Sequence, residues 1–166
     1  ITLPNFRTYY TEDVAGAEVG GAVKNVLAIA CGVAEGRGLG LNARAALIAR
    51  GFAEMVRFGL AMGGRRETLA GLSGLGDLVL TCSSTSSRNF SLGKAIGEGK
   101  NVADLMKDRR TVAEGAHTAP VLDRIAKERN IDMPLVDAVA TLLAGKIGID
   151  ELLETMLSRP PRHEED

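Results

Sequence analysis

One long run of small and apolar residues, from Val14 to Ala34, most constrains how this chain can fold. Its composition predicts a helix, with Gly20-Gly21-Ala22-Val23-Lys24-Asn25 near its centre. In a helix the two glycines lie one turn before Lys24 on nearly the same face, so a ligand can approach the backbone beside the amine. The flanking residues supply no carboxylate, and desolvation without a counter-charge favours the neutral, basic form of a lysine. Lys24 is therefore a candidate general base; the alternative is a glycine packing notch beside a lysine whose amine extends to solvent.

Composition indicates a globular chain and excludes several kinds of function. The chain has 166 residues, 45% of them hydrophobic and 25% charged, with a formal net charge of -1, which fits one domain. Without a basic excess, a general nucleic-acid binder is not expected. Cys31 and Cys82 have no CxxC motif or histidine near them, which argues against a metal site and a disulfide framework and fits a reduced cytoplasm. We expect no membrane span, because Lys24 and Asn25 interrupt the longest apolar run.

Apolar spacing, caps and glycines predict an all-α fold. The first long helix covers residues 13–35, with room for a break near Gly16, and the second, capped by Asn42, covers 42–62. A short glycine loop between them predicts an antiparallel pair. Shorter helices are predicted, in chain order, at 67–72, 89–97, 102–107, 114–129, 134–144 and 150–157. Only residues 1–10 and 78–82 have the character of strands, and the polar tail at 159–166 is predicted to be disordered.

The glycines around Asp77 invite comparison with a dinucleotide-binding fingerprint. Gly74-Leu75-Gly76-Asp77 begins like one but fails, because the sixth position is Val79 and no predicted strand or βαβ unit surrounds it. Glycines can instead turn the backbone so that Asp77 points into a cleft, where its carboxylate accepts a hydroxyl or holds Lys24. The alternative is that Asp77 caps a helix in a glycine loop.

A hydroxyl-rich segment that ends in Ser87-Arg88-Asn89 has the features of an anion site. A phosphate is bound by several short donors and a fork-shaped cation, ideally at a helix N-terminus, and this sequence opens a predicted helix. The alternative is a flexible Ser/Thr loop. His117 is interpreted as a solvated helix residue and His163 lies in the tail, so neither histidine is a candidate catalyst.

Four separated motifs resemble the C-terminal domain of NAD(P)-dependent sn-glycerol-3-phosphate dehydrogenase. In order they are Gly20-Gly21-Ala22-Val23-Lys24-Asn25-Val26, Ala45-Ala46-Leu47-Ile48-Ala49-Arg50-Gly51, Gly74-Leu75-Gly76-Asp77-Leu78-Val79-Leu80-Thr81-Cys82 and Ser87-Arg88-Asn89. The resemblance extends from Phe6 to about Leu157. It implies an all-helical substrate domain at 11–158, of the 6-phosphogluconate dehydrogenase C-terminal type. Residues 1–10 would be the trailing edge of, or linker from, an N-terminal Rossmann domain that this sequence does not include.

The resemblance also implies which residues act on the substrate. The lysine that matches Lys24 is the proton acceptor of the family. The implied substrate-binding residues are Lys24, Asp77, Ser87, Arg88 and Asn89. Asp77 would set the position and charge of Lys24, in opposition to desolvation, and the sequence leaves open which effect dominates.

The implied cofactor is NAD or NADP, bound mainly by the Rossmann half. From this chain, the resemblance implies cofactor contacts by Arg88, Val112 and Glu114. Asn25 and Thr81 lie beside the motifs and are weaker site candidates. Because the sequence departs from the family at Gly115-Ala116-His117, no cofactor contact is assigned beyond Glu114.

The expected activity is the interconversion of sn-glycerol 3-phosphate and dihydroxyacetone phosphate, for glycerophospholipid synthesis in the cytoplasm, by a homodimer. This chain alone is expected to be inactive, since hydride transfer needs a dinucleotide held against the substrate. Two alternatives stay open. One is the helical domain of another 6-phosphogluconate-type dehydrogenase, and the other is a non-catalytic module that binds a phosphorylated metabolite or serves dimer contact.

Overall fold

The fold is a set of helices packed around the first one. The computed structural model describes residues 7–107 and 113–157, without the side chains of 154–157. In chain order it contains α1 (Val14–Gly36), α2 (Gly40–Ala61), α3 (Arg66–Ala70), a π-turn (Leu72–Gly76), α4 (Asp77–Thr81), α5 (Arg88–Gly97), α6 (Val102–Lys107), α7 (Glu114–Glu128), α8 (Pro134–Leu143) and α9 (Ile149–Leu157). These described ranges contain no strand, and the predicted all-α fold is confirmed.

Several local predictions are wrong. The segment predicted as a strand at 78–82 is helical, because Leu78–Thr81 belong to α4 and Cys82 ends it; so short an apolar run suits either structure. Residues 7–10 have no regular structure, while 1–6 and the predicted tail at 159–166 lie outside the described residues. The helix α1 has no break at Gly16. Asn42 lies inside the first turn of α2, whose N-cap position is Leu39 without a side-chain cap.

The central helix is α1, and Asp13 caps it. The Asp13 carboxylate accepts the N–H of Arg65 at 2.8 Å and that of Gly16 at 2.9 Å, and these two bonds hold the pKa of Asp13 below its ordinary value. By length and mean hydropathy α1 would qualify as a membrane span, contrary to the expectation from its polar interruptions. Half of that apolar window is nevertheless buried inside this domain, which is the pattern of a core helix.

Glycines bring α5 directly onto α1. On each helix two glycines lie four residues apart, and thus on one face, where an added Cβ would collide with a backbone carbonyl oxygen of the other helix. The four contacts are Gly32 with Phe90, Gly36 with Lys94, Gly93 with Ile29 and Gly97 with Val33. We call these four glycines the glycine interface. From Gly32–Phe90 to Gly36–Lys94 the residue numbers increase on both helices, so α5 runs in the same direction as α1. The first residues of α5 lie beside the middle of α1, where Asn89 bonds Asn25.

Glu54 of α2 is a buried carboxyl group that holds the start of α8. It is 1% exposed, and its two oxygens accept the N–H groups of Leu135 at 2.7 Å and Val136 at 3.2 Å. Such N–H groups have no acceptor within their own helix, and Met133 at the N-cap position offers no side-chain bond. Burial raises the pKa of Glu54 to about 7, although the two N–H bonds and Arg57 act in the opposite direction.

Replacement of Glu54 by glutamine should remove a pH dependence of stability. The folded-state pKa of about 7 exceeds the ordinary value of 4.5, so between these values the folded chain holds a proton that the unfolded chain releases. The free energy of unfolding should therefore fall by about 3 kcal/mol as pH rises through this interval, at about 1.4 kcal/mol per pH unit. Urea unfolding at several pH values measures this fall, which Glu54→Gln should lose.

Glu18→Gln is the matched control, because Glu18 is an exposed carboxyl group in the second turn of α1. This variant should keep the pH dependence of the parent chain. The same fall in stability for the parent and Glu54→Gln would show that Glu54 does not hold the proton.

Candidate active site

The two central glycines of α1 differ in what they face. A Cβ at Gly20 would collide with the carbonyl oxygen of Ser73 in the π-turn, whereas a Cβ at Gly21 would meet nothing within 4 Å. Gly20 is therefore a packing notch, and only Gly21 leaves open space at the backbone. Lys24 follows one turn later, with a side chain that is 20% exposed.

Lys24 forms an ion pair with Asp77, the first residue of α4. Oδ2 of Asp77 contacts Nζ of Lys24, and Oδ1 accepts a hydrogen bond from the Thr81 hydroxyl at 3.3 Å. Thr81 is one helical turn after Asp77, which places both side chains on one face. The expectation of a lysine without a counter-charge is therefore wrong. Asp77 also makes no helix-cap bond, so the capping alternative fails.

The start of α5 carries the candidate anion-binding residues. The Ser87 hydroxyl caps α5 by accepting the N–H of Phe90 at 3.2 Å. The Arg88 side chain is 61% exposed, and its Nη2 lies 4.0 Å from Oε1 of Glu114 at the start of α7. An ion pair this long and this exposed is weak, which leaves the guanidinium available to an anionic ligand.

Two amide side chains connect α1, α5 and α7. Nδ2 of Asn25 donates to the carbonyl of Gly21 at 3.1 Å, and Nδ2 of Asn89 donates to Oδ1 of Asn25 at 2.9 Å. Oδ1 of Asn89 in turn accepts the N–H of Gly115 at 2.9 Å. A Cβ at Gly115 would collide with the carbonyl oxygen of Asn25, so glycine is what allows α7 to approach α1. The chain of bonds fixes the starts of α5 and α7 against α1.

These elements enclose a cleft of about 450 Å³. Its lining is mostly hydroxyl and amide groups, and consists of Asn25, Leu80, Thr81, Ser84, Ser86, Ser87, Arg88, Asn89 and Glu114. The Lys24–Asp77 pair adjoins it through Asn25 and Thr81. The sequence marks the hydroxyl-rich segment as a whole but does not single out Ser84 and Ser86.

Two further residues discussed from the sequence are Val112 and His117. Val112 lies outside the described residues, and His117 is an exposed residue of α7. Within 7–107 and 113–157, no group of three His, Cys, Asp or Glu residues could hold a metal ion. The lining instead suits a polar anion, because hydroxyl, amide and guanidinium donors surround it. For a dinucleotide, Arg88 and Glu114 are the exposed charged groups that the cleft offers.

Cys31 and Cys82 meet in the core, although their separation in sequence gives no sign of it. Both are free and buried. The neighbouring Cys31 thiol, together with burial, raises the pKa of Cys82, so this thiol stays protonated and unreactive. Cys82 ends α4, and the contact therefore ties the far end of that helix to α1.

Asn89→Ala should destabilise the chain by about 1–3 kcal/mol, because it leaves the buried N–H of Gly115 and Oδ1 of Asn25 without their partners. Urea unfolding of the parent chain and the variant measures the difference. Asn42→Ala is the control, since Asn42 is exposed in the first turn of α2, and it should unfold close to the parent. If Asn89→Ala and Asn42→Ala have the same midpoint, the amide chain does not join these helices.

Comparison with known proteins gives a family match over most of the chain. The family model described as NAD-dependent glycerol-3-phosphate dehydrogenase C-terminus matches residues 13–154. A protein of Erythrobacter litoralis named glycerol-3-phosphate dehydrogenase (NAD(P)+) is 66% identical over 100% of this chain and 51% of its own length. A protein of the same name from Novosphingobium aromaticivorans is 69% identical over 96% of this chain and 48% of its own. The chain thus spans about half the length of the curated relatives it matches.

One solved structure has the same helical arrangement. The crystal structure of glycerol-3-phosphate dehydrogenase from Coxiella burnetii matches this chain with a TM-score of 0.89 at 41% sequence identity. The match covers 95% of this chain and 49% of the other.

Proposed function

Because this chain belongs to the family of NAD-dependent glycerol-3-phosphate dehydrogenase C-terminal domains, we propose that it is the substrate-binding and catalytic half of such an enzyme. The reaction is the interconversion of sn-glycerol 3-phosphate and dihydroxyacetone phosphate with NAD(P)(H). The observation that carries this proposal is the Lys24–Asp77 ion pair, which adjoins the cleft that Arg88 lines.

Lys24 is the residue that moves the proton in this proposal. In reduction, its ammonium donates a proton to the carbonyl oxygen at C2; in oxidation, its neutral amine accepts the proton of the C2 hydroxyl. The nicotinamide, when bound, supplies or accepts the hydride. Asp77 contacts Nζ of Lys24 and Thr81 holds the second carboxylate oxygen, so the two residues orient the amine toward the substrate.

The start of α5 is the proposed phosphate-binding end. Arg88 supplies a fork of N–H donors whose geometry matches two phosphate oxygens. Ser87 has a hydroxyl proton to donate, because its oxygen is the atom used as the helix cap. Asn89 donates one N–H to Asn25, and its amide has a second N–H for the substrate.

The names of the relatives indicate NAD(P) dependence. We place most cofactor contacts in the N-terminal half of the full-length enzyme, with Arg88 and Glu114 as the contributions of this chain; a contact by Val112 stays a prediction. A homodimer in the cytoplasm and a role in glycerophospholipid synthesis complete the proposal. Another 6-phosphogluconate-type dehydrogenase is less well supported, because the matching family model has a different substrate in its name. A non-catalytic module is less well supported too, because it has no use for a paired lysine beside the cleft.

In a full-length enzyme that carries this chain as its C-terminal half, Lys24→Ala should lower kcat by about two to four orders of magnitude. The absorbance of NADH or NADPH with dihydroxyacetone phosphate measures the rate. Lys94→Ala, at a partly exposed lysine of α5 that pairs only loosely with Glu98, should keep the parent rate. Turnover by the 166-residue chain alone would contradict its assignment as one half of the enzyme, and near-parent turnover by Lys24→Ala would remove the proton-transfer role.

Arg88→Lys should mainly raise KM for dihydroxyacetone phosphate, by about tenfold or more, since an ammonium cannot copy the two parallel bonds of a guanidinium to phosphate. Initial rates over a range of substrate concentrations separate KM from kcat. Arg124→Lys is the matched control, because Arg124 is an exposed arginine of α7 that pairs with Glu128 at 3.2 Å. Equal KM values for the parent and Arg88→Lys would mean that another group binds the phosphate.

A further inference from the structure

We infer that the π-turn seated on Gly20 sets the position of Asp77 against Lys24, and that Gly20 and Gly74 are positioning residues for proton transfer. The inference rests on the proposed function, since it assigns to these glycines a role in the same reaction. It concerns backbone contacts, and neither glycine touches the substrate in this account.

The π-turn runs into α4 without a break. The N–H of Gly76 donates to the carbonyl of Gly71 at 3.1 Å, five residues earlier, which is the bond of a π-turn. Gly76 itself has helical torsion angles, φ -59° and ψ -49°. A π-turn contains one residue more than an α-turn, and one residue corresponds to a rotation of about 100° around the helix axis. The direction in which Asp77 points therefore depends on this turn.

The backbone of the π-turn is held between two helices. On one side, a Cβ at Gly20 of α1 would collide with the carbonyl oxygen of Ser73 and would lie 3.2 Å from Cα of Gly74. On the other side, a Cβ at Gly74 would collide with the backbone of Leu69 in α3. Leu69 is itself fully buried, so α3 cannot move away easily. At these contacts no side chain separates the backbone of the π-turn from the backbones of α1 and α3.

The ion pair lies one turn beyond this contact on both helices. Lys24 is four residues after Gly20, and Asp77 is four residues after Ser73, a distance of about 6 Å along each helix. Displacement of Ser73 from α1 must therefore carry Asp77 away from Lys24. A displacement of about 1 Å at a reacting group can lower a rate by about a hundredfold.

The variant that tests this is Gly20→Ala in the full-length enzyme. Alanine forms helix better than glycine, so α1 should persist while its new methyl group displaces the π-turn. We expect kcat to fall by about tenfold to a hundredfold, with a change in KM of about threefold or less. Gly76→Ala is the matched control: its Cβ would have ordinary contacts, the nearest at 3.6 Å, and it should keep the parent kcat.

A double-mutant cycle separates positioning from packing. If Gly20 acts through Asp77, Gly20→Ala should have little effect, about threefold or less, in an Asp77→Asn background. If Gly20 only allows close packing, the variant should lower kcat by the same factor in both backgrounds, and this result would overturn the inference. Single-turnover absorbance at high enzyme concentration keeps the slow variants measurable.

Folding is checked by circular dichroism and thermal unfolding, and Gly74→Ala provides a second variant that displaces the same turn from α3. Loss of helical signal in both variants would overturn the inference, because packing alone would then explain the glycines. An active parent with a fully active Gly20→Ala would overturn the inference and leave the proposed function standing. A full-length parent without activity on dihydroxyacetone phosphate would overturn the proposed function, and this inference with it.

Discussion

The contact of α1 with α5 at the glycine interface is the constraint on which the rest of this structure depends. Backbones that touch directly leave a helix no freedom to slide or to roll, because every small shift creates a collision with a carbonyl oxygen rather than with a side chain that can change rotamer. This rigidity places Asn89 where it can bond Asn25 at 2.9 Å. Through Asn89 it also fixes Gly115 and the start of α7. The helices α1, α5 and α7 therefore have fixed relative positions where they line the cleft.

The helices could be predicted where the sequence carries its own signal. The apolar run of α1 ends in glycines, and α8 begins with Pro134, so local chemistry marks both elements. The π-turn has no such signal. Leu72–Thr81 is apolar and glycine-rich, which suits a loop or a short strand equally well until Gly20 and Leu69 close on it. The sequence also gives no sign that Glu54 is buried, because the two N–H groups that its carboxylate accepts lie more than 80 residues away in sequence.

The site was only partly accessible to sequence reasoning. Side-chain chemistry and resemblance to a family both single out Lys24, Asp77 and Arg88, and a contact with Lys24 is one of the roles that the sequence allows for the Asp77 carboxylate. The residues beside Lys24 in sequence supply no counter-charge. Its partner Asp77 is 53 residues away, and the fold alone brings the two together. Asn25 and Asn89 both stand in motifs that carry the family resemblance, but nothing in the sequence indicates that their side chains bond each other. An amide that links helices has the same local sequence as an amide on the surface.

The glycine interface also limits how this domain can change over evolution. Where side chains interlock in a core, a larger residue at one position can be offset by a smaller residue at the facing position, so that the total volume is kept. Such pairs of positions therefore vary together among related sequences. At Gly93 and Gly97 the opposite surface is the main chain of α1, which has no smaller alternative. A substitution there has no compensating partner, and this close contact should leave no trace among co-varying pairs of residues.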